Sequence, residues 1–254
     1  MPIEFWLVVG VILVFLMLIG EVQKRFDPKM PAEETETGSG YMPGGVDVSV
    51  LRIALDARAR AFVETQLASI VTNADNTTGT GRVRTLQNAA LVMRRLRDAW
   101  VSGGAVNEPM REIAGAKVAF DRHVELARSR AKMTGSVSPG DDNDPGVILV
   151  SIVLATRCEL MTVTRIGNGD DLRIALESCG HITPDQLVGI EVIRDPSLPG
   201  ERVTAYELAF AYPRPQLIPI TGALVDKTFC SGCAGPFMAE LVSCPHCGAP
   251  HRAY

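Results

Sequence analysis

Four cysteines near the C-terminus form the pattern in this sequence that points most directly to a chemistry. Two residues separate Cys230 from Cys233 and Cys244 from Cys247, and ten residues lie between the pairs. Two residues between thiolates let one tight turn aim both sulfurs at a single ion, and two such turns complete a tetrahedral site of the kind found in zinc ribbons. The spacing therefore predicts a zinc ribbon over residues 227–254, with these four cysteines as ligands.

The expected role of the zinc is structural, because four thiolate ligands leave no position for water or substrate. Two disulfides or a redox-active dithiol are the alternatives, and a cytoplasmic location would disfavour stable disulfides. His246 and His251 are further candidate ligands. His246 lies inside the second cysteine turn, so its ring is expected to point away from the metal.

No catalytic motif is found elsewhere in the sequence, which lacks the zinc-protease, nucleophile-elbow, P-loop and dinucleotide-binding patterns. His123 is expected near the polar face of a helix and His181 in a turn. The acidic run at 141–146 lacks the terminal glutamate of a calcium-binding loop. Glu191 is the acidic residue that we single out, because strand alternation turns it to solvent or to a binding partner.

Length and composition limit the function classes. The 254 residues are 46% hydrophobic and 21% charged, which is typical of a globular protein of one or two domains. The net charge of −4 argues against a protein that coats nucleic acid by bulk charge. Six cysteines are too few for a disulfide scaffold of this size.

The N-terminal region predicts a membrane anchor over residues 1–22. Residues 5–20 carry no charge, and as a helix they would span about 24 Å, slightly less than a hydrocarbon core of about 30 Å. A cleaved secretory signal would need a basic start and small residues before the cleavage point, and neither is present. A buried core helix is the third interpretation, and a uniformly apolar run at the terminus disfavours it.

The charges that flank the apolar run predict its orientation. Lys24, Arg25 and Lys29 follow the run, and no lysine or arginine precedes it. Basic residues favour the cytoplasmic side. We therefore expect a single-pass protein of the cell (inner) membrane, with its N-terminus outside and its C-terminal domains in the cytoplasm.

The rest of the chain predicts an α+β protein in several parts. Residues 23–45 and 134–146, rich in Pro, Gly and polar residues, are interpreted as flexible linkers. Helical spacing of apolar residues predicts a helical subdomain over 46–133. A change to β-branched runs predicts a small α+β domain over 147–222. Its expected strands are 147–156, 188–194 and 216–220, and its expected helices are 170–179 and 204–212.

Within the helical subdomain we expect three helices, the first from about 48, the second over about 82–101 and the third over about 109–133. This subdomain carries 14 basic and 9 acidic residues, whereas residues 134–226 carry 6 and 13. Arg94, Arg95 and Arg97 are expected on a solvated face or paired with the acidic second domain. Attraction to anionic lipid headgroups is the alternative.

Residues 46 to about 220 resemble DUF1517, a domain-of-unknown-function family of bacteria and plastids. The resemblance rests on the stretches VSVLRIALDARARAFV, RRLRDAW, GVILVSIVLATR, DDLRIALESCG and LVGIEVIRDPSLPGERVTAYELAFAYP. It implies a single-span membrane protein and supplies no catalytic residue. The predicted zinc ribbon lies outside these stretches.

These observations favour a membrane-anchored scaffold that binds a protein partner and carries a structural zinc ribbon. An enzyme whose site forms only in the folded chain is one alternative. Nucleic-acid binding through the ribbon is another, but Lys227 and Arg252 against Glu240 give the ribbon little positive charge.

Overall fold

A computed structural model describes residues 45–134, 146–160, 166–196, 203–213, 216–220 and 227–251. The predicted anchor over 1–22 and nearly all of the predicted linkers over 23–45 and 134–146 lie outside these residues. Within the described ranges, no helix is both long and apolar enough to span a membrane.

A five-stranded antiparallel sheet forms the centre of the described structure, in the order β4-β3-β1-β2-β5. Helices pack on both of its faces, which confirms the predicted α+β class. The strands are β1 (Val46–Asp56), β2 (Trp100–Met110), β3 (Val147–Thr156), β4 (Leu187–Asp195) and β5 (Ile218–Pro219).

Within the helical subdomain predicted over 46–133, the start of the first helix, expected from about residue 48, is wrong. Residues Val46–Asp56 form β1, and all eleven are buried. Val48 and Val50 pack on one face of the sheet and Leu51 and Ile53 on the other. A strand covered on both faces lacks the polar–apolar alternation of a half-exposed strand, so its apolar positions can imitate helical spacing.

The second error concerns the end of the second predicted helix. Residues 100 and 101, expected at the end of that helix, lie in β2 together with the glycines that follow. A Cβ atom on Gly104 would stand 1.9 Å from the carbonyl oxygen of Gln216, so glycine permits the chain leading into β5 to approach β2 closely. Glycines in this segment therefore mark a close backbone contact and not a helix end.

One sheet crosses the predicted boundary between the helical subdomain and the small α+β domain. Strand β1, from the first, pairs along its whole length with β3, from the second, and Val50 lies opposite Val153. The two segments therefore share one sheet.

The helices agree better with the sequence. Helices α1, α2 and α4 pack on the face of the sheet that carries Leu51 and Ile53, and α3 and α5 pack on the opposite face. Their bounds are α1 (Arg60–Thr72), α2 (Gly79–Arg95), α3 (Ile113–Thr134), α4 (Gly169–Ser178) and α5 (Ala205–Ala211).

Local capping signals explain two of the connections. The Thr204 hydroxyl accepts a hydrogen bond from the Glu207 backbone N–H (3.1 Å), and the Glu207 carboxylate accepts one from the Thr204 N–H (2.8 Å), which forms a capping box at the start of α5. The similar signal at Thr183 and Gln186 makes the same side-chain bond (3.0 Å), but there the chain turns directly into β4.

Because β1 is central, truncating one of its core side chains should destabilise the whole fold. We expect Leu51→Ala to lower the free energy of unfolding by about 2–5 kcal/mol, since Leu51 is fully buried and its removal leaves a cavity. Urea denaturation followed by circular dichroism measures this change. The control Val71→Ala, at a side chain that is 67% exposed, should change stability by less than about 0.5 kcal/mol. Equal effects of the two substitutions would contradict the central position of β1.

Candidate metal centre

Two short strands and two cysteine turns build the C-terminal unit, which we call the ribbon (residues 227–251). Strand β6 (Lys227–Phe229) pairs antiparallel with β7 (Pro236–Met238), and the turn with Cys230 and Cys233 connects them. The turn with Cys244 and Cys247 follows, closed by a bridge between Ser243 and Pro250. Strand β7 ends at Met238, and a turn follows it.

The two turns use the same backbone pattern. In the first, the Ala234 N–H donates to the Cys230 carbonyl (2.8 Å), and in the second the Gly248 N–H donates to the Cys244 carbonyl (2.8 Å). Ala234 and Gly248 occupy equivalent positions and both have positive φ, 58° and 75°. This left-handed conformation bends each chain back and aims both of its cysteines to one side.

The four cysteine sulfurs meet at one point. All four Sγ atoms lie within 4.8 Å of one another, with 3.6 Å between Cys230 and Cys247 and 3.7 Å between Cys233 and Cys244. Four sulfurs at about 2.3 Å from a central ion in a tetrahedron are about 3.8 Å apart. The cluster therefore has the dimensions of a four-thiolate metal site, and it can hold a metal ion.

Backbone N–H groups surround the sulfurs. Gly232, Gly235 and His246 donate to the Sγ atoms of Cys230, Cys233 and Cys244 at 3.3, 3.4 and 3.4 Å. Such donors favour the thiolate form that a metal requires.

The thiols of the cluster differ in acidity. The pKa of Cys230 is lowered to about 7, chiefly by the Cys233 backbone N–H, whereas burial raises the pKa of Cys233 to about 12. Cys233 therefore keeps its proton at neutral pH when no cation is bound. Loading the cluster with a metal ion must release protons, because only thiolates act as ligands.

Neither candidate histidine belongs to the cluster. The His246 Nε2 atom lies 2.8 Å from the Pro236 carbonyl oxygen, and its ring packs against Phe62 of α1 with 4.9 Å between ring centroids. The ring of His251 packs edge-on against Phe237 at 5.1 Å. The position inside the second turn thus directs His246 to the helical part of the protein and away from the sulfurs.

The ribbon is docked on the rest of the protein. Besides the Phe62–His246 pair, the guanidinium carbon of Arg58 lies 4.6 Å from the centre of the Phe229 ring. Cys233 and Ala234 pack against the core that α1 and α2 share with the sheet. A metal bound by the cysteines would therefore stabilise the docking surface together with the ribbon itself.

Gly235 is required at the docked surface. A Cβ atom at this position would stand 2.4 Å from the His246 ring. Sequence reasoning missed Gly235, Phe62 and Arg58, because the contact joins segments about 180 residues apart and no local pattern reveals it.

The other residues singled out from the sequence have structural partners. His123 was expected near the polar face of a helix, but it is buried. Its Nε2 lies 3.0 Å from Glu108, and burial lowers its pKa. The Glu191 carboxylate accepts a hydrogen bond from Arg128 (2.8 Å). His181 is exposed in a short 3-10 turn.

The expectation that Arg94, Arg95 and Arg97 lie on a solvated face or pair with the acidic second domain is confirmed, with Arg94 as the paired residue, bound to Glu177 at 2.9 Å. Arg95 and Arg97 are exposed beside the ribbon.

Comparison with known proteins agrees with the resemblance found in the sequence. The family described as "Protein of unknown function (DUF1517)" matches residues 45–220, more than half of the chain. "Protein FLAP1 homolog A" from Synechocystis sp. is 26% identical over 193 residues, which cover 68% of this chain and 57% of that protein. The alignment thus spans little more than half of the relative. No solved structure matches. The family match ends before the first cysteine of the cluster.

Removal of one ligand should abolish metal binding and unfold the ribbon. We expect Cys230→Ser to lose the single bound metal ion per chain, because the ribbon is too small to fold without it. Metal analysis of the dialysed protein, with hydrogen exchange of residues 227–251, measures both effects. The control Cys179→Ala removes a buried thiol outside the cluster and should leave metal content unchanged. A tightly bound metal in Cys230→Ser would show that the ligands are misassigned.

Docking can be tested apart from metal binding. We expect Gly235→Ala to displace the His246 ring, so that exchange rates rise at Phe62 and His246 while the metal stays bound. In the matched control Gly232→Ala, the new Cβ would meet its nearest neighbour at an ordinary 3.7 Å and docking should persist. Indistinguishable exchange in the two variants would mean that the His246 ring does not hold the ribbon in place.

Proposed function

Because this chain belongs to the DUF1517 family, whose description names no activity, we propose its function from its own site. We propose a single-pass membrane-anchored scaffold whose α+β body and zinc ribbon form one binding unit. The observation that carries the proposal is the docked four-cysteine cluster. A metal ion there would join two surfaces of the protein and leave no open coordination position for chemistry.

Zinc is the proposed metal. Four thiolates in a tetrahedral arrangement suit zinc, which has no redox chemistry of its own and is common in sites built from two C-x2-C turns. The sulfur separations of 3.6 and 3.7 Å support this choice, as do the N–H donors to the sulfurs. In this role the zinc replaces the hydrophobic core that the short ribbon lacks.

The membrane anchor is proposed from the sequence. Residues 5–20 are uncharged and apolar, and basic residues follow them. In this arrangement the N-terminus lies outside the cell (inner) membrane, and the α+β body and ribbon lie in the cytoplasm. The reducing cytoplasm then keeps the four thiols available for zinc.

Binding is favoured over catalysis by the groups that line two clefts of the described structure. In the first, between the ribbon and α2, His246 is bonded to the Pro236 carbonyl. In the second, between α1 and β4, Glu64 binds Arg194 (2.6 Å) and Glu191 binds Arg128 (2.8 Å). These acidic and imidazole groups hold the fold together and do not face one another as an acid–base pair.

The test is photo-crosslinking in intact membranes, with the crosslinking residue placed on the exposed side of the ribbon at Ser243. We expect one or a few discrete protein adducts from the wild-type chain and their loss in Cys230→Ser, because the ribbon unfolds without its metal. Cys179→Ala should retain them. Adducts that persist in Cys230→Ser would contradict a role for the ribbon in partner binding.

A reporter fusion and membrane extraction test the location. A phosphatase reporter joined after Tyr254 should be inactive, and the chain should stay with the membrane during alkaline extraction. Phosphatase activity at this position would place the ribbon outside the cytoplasm. Extraction of the intact chain from the membrane would contradict the anchor.

A further inference from the structure

A cleft of roughly 440 Å³ lies between the ribbon and the C-terminal end of α2. Arg94, Arg95 and Arg97 line one side of it. Met238, Leu241 and His246 line the other. The ribbon contributes almost no charge of its own here, so the fold brings basic groups from one part of the chain beside an apolar edge from another.

Two of the three arginines are available to an external anion. Arg94 is held by Glu177 at 2.9 Å. Arg97 is 68% exposed and its nearest acid is the adjacent Asp98 at 3.9 Å, which is at the limit of an ion pair. Arg95 is exposed as well. Glu177 balances Arg94, and Asp98 in the cleft and Glu240 on the ribbon offset the charges of Arg95 and Arg97, so charge alone does not define the partner.

The second observation is an apolar loop tip that begins at Leu241, which lines the same cleft as these arginines. Leu241 is 44% exposed and Val242 is 81% exposed, and they follow one another in the loop between β7 and Cys244. The loop is held in place because the Leu241 N–H donates to the Met238 carbonyl (3.1 Å) and the Val242 carbonyl accepts from His251 (2.8 Å). The tip is therefore a fixed feature that presents two aliphatic side chains to the outside.

We infer that this face, formed by Arg95, Arg97, Leu241 and Val242, is a second contact with the bilayer. The two aliphatic side chains enter the interfacial layer, and the arginines bind the phosphate groups of anionic lipids. Apolar side chains beside basic ones are typical of surfaces that lie on anionic membranes. The inference rests on the proposed membrane location and goes beyond the anchor, because it places the ribbon itself on the lipid surface.

A bilayer fits this face better than a nucleic acid does. Single-stranded nucleic acids are bound by exposed aromatic rings on which bases stack. The aromatic rings nearest the cleft, Phe62 and Phe237, are only 6% and 2% exposed. The exposed side chains are aliphatic, which suits lipid and offers no stacking surface.

Hydrogen exchange of the full-length chain in nanodiscs tests the inference. One disc contains phosphatidylcholine alone, and the other contains phosphatidylcholine mixed with phosphatidylglycerol. Amides at 238–243 and 94–97 should exchange several-fold more slowly in the anionic disc. Equal exchange in the two discs would overturn the inference, and so would stronger protection of these amides by a single-stranded oligonucleotide than by the anionic disc.

Matched variants separate this face from the rest of the surface. Arg95→Glu and Arg97→Glu should each reduce the protection of these amides by a factor of about five, and Val242→Asp should abolish it. Two controls at exposed positions elsewhere, Arg84→Glu on α2 and Val118→Asp on α3, should retain it. Retained protection in Val242→Asp, or equal losses in the controls, would overturn the inference.

Alkaline flotation of the same samples keeps the two proposals distinct. If the chain no longer floats with the membrane but added anionic vesicles still protect residues 238–243, the anchor is contradicted and the second contact is supported. Normal flotation without protection of 238–243 would contradict the second contact and leave the anchor standing.

Discussion

Complete burial of the central strand is the constraint on which the rest of the structure depends. All eleven residues of β1 are buried between β2 and β3, with helices on both faces of the sheet. Neither face of β1 can meet solvent, so α1, α2 and α4 must cover one side and α3 and α5 the other. This cover fixes α1 beside the end of α2, and there Phe62 receives the His246 ring of the ribbon. The docking surface of the candidate metal centre is thus a consequence of how the sheet is covered.

The same burial obliges the polar residues of β1 to find partners inside the protein. The Ser49 hydroxyl lies 3.1 Å from the Asp47 carboxylate and 2.9 Å from the Asn107 side-chain oxygen, so Asn107 of β2 completes a small polar network. Burial raises the pKa of Asp47, and these hydrogen bonds partly offset that effect. On the opposite face, the Arg52 guanidinium lies 4.9 Å from the centre of the Tyr212 ring, next to α5. Polar groups in a central strand therefore help to specify which neighbours it takes.

Sequence reasoning succeeded where a structure is encoded locally and failed where it depends on distant segments. The two C-x2-C turns and the Thr204 capping box are set by residues a few positions apart, and the two turns bring their cysteines together as expected. The β1 segment was mistaken for helix because a strand buried on both faces has no alternation to reveal it. The docking of the ribbon on Phe62 and Arg58 was not predicted at all, since it joins opposite ends of the described chain.

The charge of the ribbon shows why a site has to be judged in the folded chain. In sequence the ribbon has Lys227 and Arg252 against Glu240, which gives it little attraction for an anionic partner. Docking changes this, because Arg95 at the end of α2 and Arg97 in the turn after it line the same cleft as Leu241 of the ribbon. The loop that carries Leu241 and Val242 leads directly into Cys244, so its conformation depends on the same cluster that the metal would close. In the proposed arrangement the structural ion thus affects residues that are not its ligands. It fixes the position of an apolar loop relative to arginines from another part of the chain.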